Sequence, residues 1–232
     1  MSLLNILNDM LVSNIFTNIY KILVKYFPLL IKGLGMTLLL SLLTVVFGAI
    51  VGFLISLLTM SKNKVLKFIG NAYVEVIRGV PLLLQLSAIY IAMPNTVSKF
   101  VSTTIALVIN SGAYVAEIFR AGIQAVDKGQ EEAARSLGLN RMQTMYKIIL
   151  PQAIKNILPA IGNEYVTVIK ETSLASSFYL GELMSAQKLI GSVTYLYFEA
   201  YIAVAIFYFI STFSLSKLIK LLERRLNASD KS

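Results

Sequence analysis

The chain has 232 residues, 56% of them hydrophobic and only 14% charged, with a mean hydropathy of +0.73. Soluble domains carry about a quarter charged residues, so the composition excludes one and describes an integral membrane protein. The absence of cysteine and histidine removes disulfides, thiol nucleophiles, the usual zinc ligands and the commonest general base, and the net charge of +9 is best tested against membrane topology before nucleic acid.

From Ser2 to Lys25, polar residues recur every fourth position at Asn5, Asp9, Ser13, Thr17, Lys21 and Lys25, beside a row of Leu3, Leu7, Leu11, Ile15 and Ile19. This spacing predicts an amphipathic helix, lying at the membrane interface or packed on a bundle. The stretch lacks a basic flank and a cleavage site, so it reads as a retained segment and not as a signal peptide. Pro28, Gly33 and Gly35 are expected to break the pattern before the first span. Gly33 to Ser61 holds no charge and exceeds the ~20 residues that cross a bilayer core. A second span runs from about Val65 to Met93, interrupted by Glu75, Arg78, Gly79 and Pro81, and Pro94-Asn95 turns the chain. The third starts near Lys99 and ends with Glu117 and Arg120. A charged stretch precedes Pro151, which opens the fourth span. A polar segment from Thr172 to Thr194 leads to the fifth, about Ala200 to Leu222. With the charged stretch of residues 128–150 placed in the cytoplasm, thirteen Lys and Arg fall inside, five fall outside and three (Arg78, Arg120, Lys170) lie in spans. This obeys the positive-inside rule, with the N-terminus outside and the C-terminus inside, and explains the basic charge without nucleic acid.

Ionisable side chains at membrane depth ask for a partner or a water-filled cavity. Glu75 and Arg78, three apart, can pair with each other. Alternatively, the helix break at Gly79 and Pro81 exposes amides and a positive dipole end that suit a carboxylate, together with Arg78. In the fourth span Glu164 and Glu171 lie two turns apart on nearly one face. Either Lys170 neutralises them in a structural network, or they face the pathway and attract an amino or guanidinium group. Ser111, Gly112 and Ala113 read as close helix packing, and Glu117 with Arg120 as a gate or fold pair.

Residues 132–151 read EAARSLGLNRMQTMYKIILP, with Glu132-Ala133-Ala134, then Gly138, then Leu150-Pro151. The pattern resembles the EAA motif of ABC-importer permeases, and SGAYVAEIFRAGIQAVDKGQ with NEYVTVIKETSL resembles the subgroup that imports polar amino acids. The likeness spans about Gly33 to Leu226. It implies an all-α integral membrane fold: five transmembrane helices plus the N-terminal amphipathic helix, as in type I importer permeases. The expected divisions are an amphipathic segment at 1–32, a transmembrane domain at 33–226 and a cytoplasmic tail at 227–232. The resemblance makes Glu131, Glu132, Ala133, Ala134, Gly138, Leu150 and Pro151 a coupling helix that docks on a separate ATPase. This chain has no phosphate-cradling GxxxxGK[ST] loop, so ATP and Mg²⁺ are expected on that partner and catalysis here is not. The implied assembly is two ATPase subunits, a second permease chain, identical or not, and an extracytoplasmic amino-acid-binding protein, in a bacterial-type plasma membrane. Arg78-Gly79-Val80-Pro81 departs from the family's Arg-Gly-Thr-Pro at Val80, and Lys170-Glu171 from its Lys-Asp. The carboxylates favour arginine, lysine or histidine as cargo over glutamine. An ATPase-independent secondary transporter or channel is the competing class. The lack of internal repeats and the purposeless long loop speak against it, and charges within spans speak against a mere scaffold.

Overall fold

The computed structural model describes residues 3–228, with side chains for 14–226, and the regular elements among the described residues are all helices. The first half of the amphipathic stripe, including Asn5, Asp9 and Ser13, and the tail at 227–232 lie outside the residues with described side chains.

Helix α1 (Leu3–Lys25) is followed after one residue by α2 (Phe27–Thr59), whose 33 residues reach about 50 Å at ~1.5 Å per residue. The expected break at Pro28, Gly33 and Gly35 does not occur. Pro28 falls in the first turn, where no amide donor is needed. Gly33 serves contact instead, since a Cβ there would sit 3.0 Å from the Leu183 backbone.

The second span is divided. Helix α3 (Lys64–Gly79) is capped by Asn63, whose side chain accepts from the Val65 and Leu66 amides, and α4 (Leu82–Ala92) leaves it at 105°. Between them Val80 is extended, φ −103° and ψ 133°, because a residue before proline is pushed out of the helical region. Helix α5 (Lys99–Gln124) follows with Ser98 as its cap. Two short helices, α6 (Lys128–Ser136) and α7 (Arg141–Thr144), precede a π turn at Met145–Ile149 and α8 (Leu150–Glu171). Pro151 therefore does not begin this helical run. Asn140 does, through a reciprocal cap with Gln143, and Pro151 sits where the π turn gives way to α-helix. A 3₁₀ turn (Thr172–Phe178), α9 (Leu183–Thr194) and α10 (Tyr197–Ala228) complete the chain, so the stretch expected as a polar connector is largely helical.

By length and apolarity, α2, α5 and α10 can each cross a membrane, and the bent pair α3–α4, a broken span or a re-entrant loop, brings the number among the described residues to as many as four. Helix α8 is long enough at 22 residues but carries Lys155, Glu164, Lys170 and Glu171. Along α2, Leu39, Leu42, Val46, Phe47, Ile50, Phe53, Leu54 and Leu57 are exposed, a larger apolar face than a water-soluble surface tolerates.

The residues sort into two compact units that are not legible in the sequence, because each draws on distant segments. One comprises Met1–Ser41 with Ile169–Phe213, the other Leu42–Val168 with Ser214–Ser232. The first closes over Ile22, Leu30, Leu183, Ala186, Ile190, Ala200, Ala203 and Val204. In it, the Leu183 amide donates to Thr37 Oγ1 at 3.1 Å, and buried Glu182 accepts from the Met184 and Ser185 amides at the start of α9. In the second unit, α2 and α5 approach through small residues: a Cβ at Gly52 would meet the Val115 side chain at 2.7 Å, and Gly112 faces Val51. The packing role expected of the Ser111-Gly112-Ala113 run is what its surroundings show.

Candidate functional site: a polar cavity and an exposed loop

The second unit holds a cavity of about 680 Å³ between α5 and α8, with Arg78 and Glu223 also at its walls. Its other polar lining groups are Tyr114, Glu117, Lys155, Asn156 and Glu164. Glu164 is 9% exposed and accepts a hydrogen bond from Ser111 Oγ at 2.9 Å. Arg78 lies over the Tyr114 ring, 5.2 Å from its centroid, with Nη1 at 3.7 Å from Glu117 Oε2. Its ion-pair partner across helices is thus Glu117 on α5, and not the expected Glu75 on its own helix. The reason is direction: a guanidinium at the last turn of α3 reaches the neighbouring helix and stacks on its aromatic ring. Glu117 also receives Arg120 Nε at 2.9 Å and Nη2 at 2.6 Å, the expected i, i+3 pair in two-pronged form. A second polar cavity of about 520 Å³, lined by Lys67, Asn71, Glu75 and Gln124 among others, shares Arg78 and Glu117 with the first. The Arg78–Glu117–Arg120 cluster therefore borders both.

Among the sequence candidates, the structure brings Arg78 and Glu164 to one cavity. Glu171 belongs to the other unit and does not line it, and neither do Gly79 and Pro81. Lys170 is exposed, and the hydrogen bond recorded to the Glu164 carboxylate comes from Ser111. Sequence reasoning missed Tyr114, Lys155, Asn156 and Glu223 as lining groups. Tyr114 and Ser111 carried a usable signal, since both follow Asn110 in a stretch too polar for a plain span.

The segment expected to dock on an ATPase is largely exposed. Asp127 caps α6 by accepting from the Gly129 amide at 2.6 Å, and the helix ends in a Schellman closure, with Gly138 N donating to Arg135 O and Leu139 N to Ala134 O. Gly138 has φ +84°, the left-handed conformation that glycine adopts without steric cost, and open space surrounds the position of a Cβ. Glu131, Glu132, Ala133 and Gly138 are exposed, as is Pro151, whereas Leu150 is half-buried and Ala134 is folded inward at 4% exposure. Leu137 is 84% exposed and joins Met142 and Tyr146 as uncovered apolar side chains on the same short run.

A family model described as "Binding-protein-dependent transport system inner membrane component" matches residues 44–228. The chain belongs to this family. It is 39% identical over 217 residues to a putative glutamine transport system permease protein GlnP of Rickettsia bellii (strain RML369-C), spanning 90% of this chain and all of the relative. It is 38% identical over 207 residues to the arginine transport system permease protein ArtQ of Bacillus subtilis (strain 168), spanning 88% of this chain and 94% of the relative. Among solved structures, a crystal structure of an amino acid ABC transporter with histidines matches at TM-score 0.84 and 50% identity, over 88% of this chain and 96% of that one. An inward-facing MetNI methionine ABC transporter shares the fold at TM-score 0.66 and 17% identity.

Proposed function

We propose that the chain is the membrane permease subunit of an ATP-driven ABC importer for amino acids, with a cationic amino acid as cargo in preference to glutamine. The observation that carries this reading is the cavity pairing a guanidinium with a buried carboxylate. Every α-amino acid brings one carboxylate and one ammonium, and Arg78 and Glu164 offer the complementary charges. The preference for a positive side chain, first drawn from Glu164 with Glu171, rests instead on Glu164, because Glu171 does not line the cavity, Glu117 is already matched by Arg120 and Glu223 shares the wall with Lys155. The names of the relatives, which include glutamine and arginine systems, support the amino-acid class and divide over the side chain.

The chain itself moves cargo and breaks no covalent bond. Hydrolysis of MgATP belongs to two partner ATPase subunits that dock on Glu131, Glu132, Ala133, Gly138, Leu150 and Pro151, with Ala134 supporting the helix from beneath. Exposed Leu137, Met142 and Tyr146 are the kind of apolar patch that a partner covers. A second permease chain completes the pathway, an extracytoplasmic binding protein delivers cargo, and ATP-driven closure of the ATPases switches its access. The N-terminus is outside and the C-terminus inside, from the distribution of Lys and Arg. Competition decides the cargo: in reconstituted complexes taking up radiolabelled arginine, excess lysine should block uptake more strongly than excess glutamine. Glutamine as the stronger competitor sinks the cationic preference and leaves the amino-acid class standing.

A further inference from the structure

The break between α3 and α4 is fastened by two side chains that line neither polar cavity. Gln85, 7% exposed and one turn into α4, folds its amide back across the break. Its Nε2 donates to Ile77 O at 2.7 Å and to Val80 O at 2.8 Å. These carbonyls belong to the end of α3, where a helix runs out of its own donors, and Pro81 has no amide hydrogen to offer them. Gln85 Oε1 in turn accepts from Asn110 Nδ2 at 3.3 Å, and Asn110, in the middle of α5, is 3% exposed. A second tie comes from α3 itself, where Tyr73 OH donates to Ile109 O at 2.7 Å.

Asn110, Tyr114 and Glu117 stand at i, i+4 and i+7 on α5 and so share one face. Asn110 holds the break, Tyr114 carries the Arg78 guanidinium on its ring, and Glu117 is the carboxylate that Arg78 reaches. One stripe of α5 therefore fixes both the end of α3 and the direction of the side chain that leaves it. A leucine at position 85 would be easier to insert among Leu82, Leu83, Leu84 and Leu86 but would leave two carbonyls unmatched.

We infer that Gln85 and Asn110 are positioning residues that clamp the α3–α4 break so that Arg78 presents its guanidinium to the cavity. The consequence for cargo rests on Arg78 as the carboxylate-binding group proposed above. The existence of the clamp does not.

The full complex with its ATPases and binding protein, carrying Gln85→Met, tests both parts. Met keeps the length of the side chain and removes the donor, and Asn110→Ala, which only detaches Gln85 from α5, serves as a milder second variant. Spin labels on Val76→Cys and Leu84→Cys, both exposed positions in a chain without cysteine, report the break directly. The distance distribution between them should be narrow with Gln85 present and broad or displaced in both variants; an unchanged distribution overturns the clamp. For arginine uptake, Gln85→Met should raise KM about tenfold, the loss of roughly one charge-orienting hydrogen-bond set, with kcat within about twofold. In an Arg78→Ala background it should raise KM no further. Additive effects on KM, or a fall in kcat at unchanged KM, overturn the positioning role. If Arg78→Ala alone leaves KM unchanged, the carboxylate reading of Arg78 and its consequence for cargo both fall, and the spin labels still decide the clamp.

Discussion

Glu164 stands nearly out of contact with solvent in a helix that also carries Lys155, Lys170 and Glu171, and its recorded donor is the single hydroxyl of Ser111. A carboxylate placed this way should bind an ammonium group strongly, because little water competes for it. Glu164→Gln removes the charge and keeps the shape; a lost charge-assisted hydrogen bond of about 1.5–3 kcal/mol corresponds to a KM for arginine raised roughly 10- to 100-fold. Stimulation of ATPase activity by the binding protein should survive, and normal arginine uptake by this variant would remove Glu164 from the cargo site. Ser111→Ala should produce a smaller rise in KM of the same kind, measured in the same uptake assay. An effect on assembly alone would instead mark Ser111 as a packing residue. Glu164 and Arg78 were legible in the sequence because a charge inside an apolar run has few explanations. Tyr114 as the seat of Arg78, and Glu117 in place of Glu75 as its partner, were not, since both depend on the distance between two helices. The pairing of Glu164 with Glu171 was drawn from helical spacing alone, and spacing does not reveal that the chain passes from one compact unit to the other between them.

At the scale of elements, the Schellman closure at Gly138 carries the clearest prediction. A non-glycine residue held in the left-handed region costs about 1–2 kcal/mol, while asparagine tolerates it. Among the described residues no neighbouring atom lies within 4 Å of the Cβ position. Gly138→Asn should therefore keep most of the ATPase activity stimulated by the binding protein, and Gly138→Val should lose most of it, with uptake following. Equal activity in the two variants would contradict a coupling role for this closure. The caps at Asp127 and Asn140 and the extended residue before Pro81, none of them drawn from the sequence above, follow residue type, because asparagine, aspartate and proline act through local geometry. The continuity of α2 through Gly33 was not readable, because there the glycine answers to the Leu183 backbone some 150 positions away in sequence. The π turn at Met145–Ile149 was equally hidden, since its five residues have ordinary helical character.

Across the whole molecule, the membrane character followed from composition, and the all-helical importer fold and the family followed from the resemblance carried by residues 132–151 and their flanks. The division into two units did not, because unit boundaries at 41–42, 168–169 and 213–214 fall inside continuous helices with no loop to mark them. The distribution of basic residues predicts an orientation that single cysteines can test in a chain that has none. An impermeant thiol reagent applied to intact cells should label Ser192→Cys and leave Ser229→Cys, which lies outside the described residues, unlabelled until the cells are opened. The reverse pattern would invert the topology and move the coupling loop away from any cytoplasmic ATPase. ATP-driven amino-acid import through this chain is tested most directly by uptake into liposomes holding the full complex, with binding protein and radiolabelled arginine outside and ATP trapped inside. Arginine should accumulate above its external concentration only with hydrolysable ATP, and this accumulation should be lost in Glu164→Gln at low arginine. Equilibration of arginine at the same rate without ATP, carried by this chain alone, would contradict ATP-driven import.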